Sequence, residues 1–168
     1  TGAAVARILE IIKQINHKIK FFQPISSNIY GKASTSPQNE NTPFNPQSPY
    51  AAAKVFAYVM CKYYREVFGL FVSTGIFYNH ESEIRPEEYV TRKITKSVAR
   101  IFYGKQKILK LGDVNSKIDW GYAKDYVESS HKIMQLKKPD FFVIASGKKH
   151  SVLDFVKKSL KYVGLNYK

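Results

Sequence analysis

The sequence predicts an α/β fold built on a mainly parallel sheet. Segments with strand character alternate with segments of helical periodicity along the chain, the pattern that folds into parallel strands joined by helical crossovers. The 168 residues fit one domain, long enough to bury a substantial core. With 44% hydrophobic and 14% aromatic residues, the composition is that of globular rather than disordered material.

Val5, Ile8, Leu9, Ile12 and Ile15 recur at helical spacing, so the chain opens inside or just before a helix, with no leading strand. The apolar run from Ile19 to Ile25 reads as a strand, ending in the polar turn Ser26-Ser27-Asn28-Ile29-Tyr30-Gly31. Lys32 to Pro49 holds Pro37, Pro43, Pro46 and Pro49 and reads as a loop. A loop that long inside a compact domain is usually functional. A helix follows from about Tyr50 to Phe68, closed by Gly69, and Leu70 to Phe77 reads as a buried strand. Glu88 to Tyr103 predicts a helix, Ile108 to Leu111 a short strand, Ala123 to Leu136 a helix and Phe141 to Ala145 another strand. Ser151 with Asp154 resembles a capping box for the last helix. No internal repeat is found.

The formal net charge is +14, but 22 of the 27 basic residues are lysine and only 5 arginine. Base-edge readout and bidentate phosphate clamps favour arginine, and the lysines are scattered rather than gathered on one predicted element. The charge therefore reads as a compositional bias, and no nucleic-acid partner is expected. A positive field still helps to draw in a phosphorylated small molecule. Cys61 is the only cysteine and sits in an apolar helical pattern, so one chain forms neither a disulfide framework nor a cysteine-based zinc site. No signal-peptide pattern and no apolar run long enough to span a bilayer are found. The expected location is cytoplasmic, with no membrane partner.

The chemistry starts at Ser48-Pro49-Tyr50-Ala51-Ala52-Ala53-Lys54. One helical turn separates Tyr50 from Lys54, so both project from one face. A phenol titrates near pH ~10, and a neighbouring ammonium favours its ionised form. Tyr50 is thereby a candidate base for an alcohol proton. A hydroxyl in the Ser26–Gly31 turn is placed to steady the oxygen that Tyr50 deprotonates. Ser26 is the candidate for that role, and Ser27 for local turn structure. None of the nine glycines is spaced as a G-x-G-x-x-G turn requires, so a Rossmann sheet here has no usual seat for a cofactor pyrophosphate. Either the chain binds no dinucleotide, or it is the middle of a longer protein. The abrupt helical start favours the second.

Further motifs narrow the choice. Asn79-His80-Glu81-Ser82 is followed by Val90-Thr91-Arg92-Lys93-Ile94, then by Asp119-Trp120-Gly121 leading into Ala123-Lys124-Asp125-Tyr126-Val127, then by His150-Ser151-Val152. With Tyr50 and Lys54, these runs resemble the GDP-mannose 4,6-dehydratases of the extended short-chain dehydrogenase/reductase group, over nearly the whole chain. The resemblance implies the later part of a Rossmann-like parallel sheet with flanking helices, plus a fragment of a small sugar-nucleotide-binding domain. Residues 1–168 would then form a single partial NAD(P)-binding domain with interleaved pieces of the substrate domain. The glycine-rich first unit would precede Thr1, and more of the substrate domain would follow Lys168. It further implies a lyase that uses bound NADP to oxidise GDP-mannose at C4, loses water across C5 and C6, and returns the reducing equivalent at C6. A homo-oligomer at full length is implied as well.

Carried over by motif, Tyr50 is the base at the C4 hydroxyl, while Lys54 holds the nicotinamide ribose and biases the phenol. Ser26 stands where the family usually has threonine. His80 and Arg85 match cofactor contacts, and Asn79 and Lys93 match positions near the sugar nucleotide. Three positions depart from the pattern. The family's proton-moving glutamate falls on Asn28, the arginine before Asp-Trp is Ile118, and Glu83-Ile84-Arg85-Pro86 replaces Pro-Arg-Arg-Gly. A sugar-nucleotide epimerase or reductase, and a non-catalytic subunit that keeps the fold, are therefore alternatives. Asp119-Trp120 reads as a turn packed on the core, and Tyr63 and Tyr64 as core or subunit packing. His80-Glu81 brings no third or fourth ligand at a recognisable spacing, so no metal is expected.

Overall fold

The computed structural model describes residues 2–167; Thr1 and Lys168, the limits of the expected domain, lie outside the described residues. In chain order the elements are α1 (Gly2–Ile15), β1 (Phe21–Ser26), a 3₁₀ turn (Ser27–Tyr30), α2 (Pro49–Phe68), β2 (Val72–Phe77), β3 (Asn79–Glu81), α3 (Val90–Phe102), β4 (Lys117–Tyr122), α4 (Ala123–Met134), β5 (Phe141–Ile144), β6 (Lys149–Ser151) and α5 (Val152–Tyr162). The predicted alternation, and with it the α/β class, is present. Two compact units form, one from the residues up to Tyr78 with Lys124–Ala145, the other from Asn79–Ala123 with the residues from Ser146 onward.

The first unit carries a parallel sheet in the order β1-β2-β5, with Phe21 opposite Val72 and Thr74 opposite Phe141. Every residue from Val72 to Ile76 is buried, as expected for the central strand of a sheet covered on both faces. Helix α2 packs on β1, β2 and α1. It starts where Ser48 Oγ accepts from the Ala51 N–H at 3.1 Å, and Pro49 presets the first turn. It stops at Gly69, whose φ of 65° is left-handed; the Gly69 N–H donates to the Arg65 carbonyl and the Leu70 N–H to the Tyr64 carbonyl. Of the apolar residues that predicted α1, Val5, Leu9 and Ile12 are buried. Ile8 and Ile15 are 43% and 73% exposed, because at ~100° per residue they fall on an adjacent stripe with Ile11.

In the second unit β3 pairs with β4 in parallel and β4 with β6 antiparallel. Ile94 and Val98 of α3 close a small core with Val152 and Val156 of α5, and the Trp120 ring lies 5.5 Å from that of Phe155, tilted at 53°. The predicted capping box is formed: Ser151 Oγ accepts from the Asp154 N–H at 3.0 Å, and the Asp154 carboxylate accepts from the Ser151 N–H at 2.9 Å.

Two sequence readings are corrected here. Ile108 to Leu111 forms no strand; Leu109 and Leu111 pack against the core from irregular backbone. The strand lies at β4, across the Asp119-Trp120 stretch that reads as a turn. Asp119 is buried and accepts from the Ser146 N–H at 3.0 Å and the Gly147 N–H at 2.8 Å. A short apolar run does not distinguish a strand from a packed loop. The three-residue strands β3 and β6 exist only through their pairing with β4.

Candidate active site

Strand β1 ends in extended backbone at Ser26, whose Oγ accepts from the Asn28 N–H at 3.3 Å and so caps the 3₁₀ turn. That bond uses a lone pair of the hydroxyl, leaving its proton able to donate. Ile29 and Tyr30 anchor the turn in the core, while the Asn28 side chain is exposed. Gly31 completes it at φ 51°, where a Cβ would lie 1.8 Å from the Asn45 carbonyl oxygen. Both the left-handed backbone and the close approach demand glycine.

Tyr50 and Lys54 occupy the first turns of α2. Tyr50 is half exposed, and Lys54 Nζ lies 5.8 Å from the centre of its ring. The same ammonium donates to the Pro24 carbonyl of β1 at 2.8 Å. Pro24 is two residues before Ser26, so the helix start and the hydroxyl-bearing turn are fastened to one end of one strand. Partial burial pushes the Lys54 ammonium below its ordinary pKa. This arrangement sets a phenol beside a fixed cation.

The other four predicted residues lie in the second unit. Asn79 opens β3 opposite Trp120 and is exposed; His80 is half-buried opposite Gly121. The Arg85 guanidinium lies 3.6 Å from the centre of the Tyr89 ring. Arg85 Nε is 3.2 Å from Glu81 Oε2, an ion pair by distance in which the N–H is not aimed along a hydrogen bond. The same Glu81 oxygen accepts from Thr91 Oγ1 at 2.7 Å. Lys93 is exposed on α3. A cavity of about 540 Å³ in this unit is lined by Glu81, Thr91, Arg92, Trp120, Tyr122 and Phe155, and none of Asn79, His80, Arg85 and Lys93 lines it. Among the described residues no group of three His, Cys, Asp or Glu is placed to hold a metal ion, and no helix is long and apolar enough to cross a membrane.

Sequence reasoning missed the groups that hold these elements in place. Pro24 offers only a carbonyl, Glu40 reaches the Val143 N–H at 2.7 Å, and Tyr30 Oη donates to the Asn39 carbonyl at 2.9 Å. The one available signal was the long proline-bearing loop, which marks a segment and no residue within it.

A family model described as GDP-mannose 4,6 dehydratase matches residues 1–168. The GDP-mannose 4,6 dehydratase of Dictyostelium discoideum is 46% identical over 166 residues, 98% of this chain and 47% of the relative. The Homo sapiens GDP-mannose 4,6 dehydratase is 45% identical, over 97% of this chain and 44% of its own length. The chain thus spans about half the length of the curated relatives it matches. Among solved structures, RMD from Pseudomonas aeruginosa complexed with NADPH superposes with a TM-score of 0.92 at 18% identity, over 99% of this chain and 57% of that one. The dTDP-glucose 4,6-dehydratase of Bacillus anthracis, in complex with NAD, gives 0.85 at 22% identity, over 96% and 51%. These two likenesses establish a Rossmann-like fold.

Proposed function

The chain belongs to the GDP-mannose 4,6-dehydratase family, and from that premise we propose that it carries the tyrosine–lysine part of a lyase acting on GDP-mannose with NADP. The observation behind the reading is the Tyr50–Lys54 pair, with Lys54 bonded to β1 at Pro24. Open parallel sheets bind ligands outside the carboxyl ends of their strands, and Ser26 closes that end of β1. In this reading the first unit is part of the cofactor domain and the second holds pieces of the substrate domain.

The residues present fit the nicotinamide-ribose side of such a cofactor. Lys54 spends one ammonium N–H on Pro24 and has two more for hydroxyl oxygens. When bound, the cofactor supplies reversible oxidation at C4 of the sugar. Tyr50, as phenolate, takes the proton of the C4 hydroxyl; the Lys54 charge lowers the cost of that phenolate. The Ser26 hydroxyl donates to the same sugar oxygen. His80 and Arg85 serve the cofactor, and Asn79 and Lys93 the sugar nucleotide. At C5 the chain offers Asn28, whose amide cannot exchange a proton as a carboxylate does near neutral pH. That residue favours a second reading, a subunit that keeps the fold and oxidises at most.

The whole protein is read as a cytoplasmic homo-oligomer without nucleic-acid or membrane partners. The apolar stripes left exposed on the first two helices, Ile8, Ile11 and Ile15 on α1 with Phe56, Val59 and Val67 on α2, support a second copy as the partner. The test is a chain completed at both ends with the flanks of the human relative, incubated with NADP and GDP-mannose. Loss of water from the sugar nucleotide is read by mass spectrometry. Tyr50→Phe abolishes it; an undiminished rate in Tyr50→Phe overturns the reading.

A further inference from the structure

Residues 31–48 run from the Ser26 turn to the start of α2 as a strap fastened at several points. At its base the Asn45 N–H donates to the Ile29 carbonyl at 2.8 Å, and Asn45 Nδ2 donates to the Lys32 carbonyl at 3.2 Å. In the middle Tyr30 Oη donates to the Asn39 carbonyl, and Tyr78 Oη to Gln38 Oε1. Phe44 meets the Tyr58 ring of α2 edge-on at 4.8 Å, and Tyr58 in turn lies 4.6 Å from Phe141 of β5. The Val143 N–H of β5 donates to Glu40 Oε1 at 2.7 Å, a contact across 103 positions of sequence.

Among the described residues strand β5 is the outer strand of its sheet, and the N–H groups on its far edge meet no neighbouring strand there. A carboxylate satisfies one of them with a charge-assisted bond. Eight positions later comes Ser48, the cap of α2, and between them Thr42 is buried while Phe44 and Asn45 are tied down. Between Glu40 and Ser48 the strap is thus tied to the fold at Phe44 and Asn45.

We propose that Glu40 is a positioning residue, which clamps the strap to β5 and thereby sets the first turn of α2 and the Tyr50 phenol it bears. The proposal rests on the reading of Tyr50 as the base, but its test needs no turnover. In the chain as it stands, amide hydrogen exchange is compared in wild type, Glu40→Gln and Glu40→Ala. Glu40→Ala accelerates exchange at Val143 by about ten- to hundredfold, the loss expected for one charge-assisted bond. It accelerates Ala51 and Ala52 by roughly threefold or more, as local opening spreads along the strap. Glu40→Gln keeps an acceptor oxygen and returns most of both effects. Should Glu40→Ala not fold, Tyr30→Phe, which removes the bond to Asn39, gives the same pattern at Ala51 and Ala52. Exchange at Ala51 and Ala52 that stays at the wild-type rate while Val143 accelerates overturns the proposal and leaves Glu40 a cap on a strand edge. A completed chain that fails to dehydrate GDP-mannose overturns the function alone, since exchange is still readable.

Discussion

The ammonium of Lys54 lies 2.8 Å from the carbonyl oxygen of Pro24, tying the first turns of α2 to β1 two residues before that strand ends at Ser26. One contact therefore holds the cation, one helical turn from Tyr50, against the strand that carries the hydroxyl-bearing turn. A catalytic group is useful only when held near its working geometry, and this bond supplies that constraint from the backbone.

Lys54→Met is expected to leave the Pro24 carbonyl without its donor and Tyr50 without its cation. In the completed chain, loss of water from GDP-mannose then falls by ~10²-fold or more, read by mass spectrometry. Unfolding by urea should show a loss of about 1 kcal/mol, modest because Lys54 is only half-buried. An undiminished rate means that the ammonium does not serve Tyr50.

The chain as it stands should bind NADP only weakly. In the proposed reading Tyr50, Lys54, His80 and Arg85 serve the cofactor, but none of the nine glycines is spaced for the turn that leads a helix N-terminus to the pyrophosphate. Calorimetric titration measures this directly. Micromolar or tighter affinity would show that other groups hold the phosphates.

Asn28→Glu, made in the completed chain, should raise formation of the 4-keto-6-deoxy sugar by ~10²–10⁴-fold, the usual contribution of a general acid–base group. The Asn28 side chain is exposed at the end of β1, so a longer carboxylate meets no core packing there. If the unmutated chain dehydrates as fast as the glutamate variant, another residue moves the proton.

Glu10 should make the fold acid-sensitive. Its carboxylate accepts from Lys13 at 2.8 Å, from Tyr64 Oη at 2.7 Å and from Gln14 at 2.8 Å, and these bonds, Lys13 first, hold its pKa down to about 2 against an ordinary 4.5. A depressed carboxylate favours the folded state above the unfolded pKa, and the benefit is lost as pH falls through the folded value. Wild type should therefore lose more stability than Glu10→Gln between about pH 5 and pH 2, as measured by urea unfolding at each pH. Parallel losses in the two proteins would show that these bonds do not couple folding to protonation.

The sequence by itself determined what depends on neighbours along the chain. The α/β class, the start of α2 near Tyr50, its stop at Gly69 and the Ser151–Asp154 cap all follow from groups a few positions apart, because a helix satisfies its backbone within one turn. The Tyr50–Lys54 pair was legible for the same reason. Tertiary structure alone decided the rest. Strands β3 and β6 are three residues long and gain hydrogen bonds only from β4, and Ile108–Leu111, no less apolar, found no partner strand. Asp119 is buried at a cost that the Ser146 and Gly147 N–H groups, 27 and 28 positions away, help to offset. Lys54 meets Pro24 across 30 positions and Glu40 meets Val143 across 103. A polar side chain carries no mark of the distant backbone group that will satisfy it; the fold makes that choice when it brings the two together.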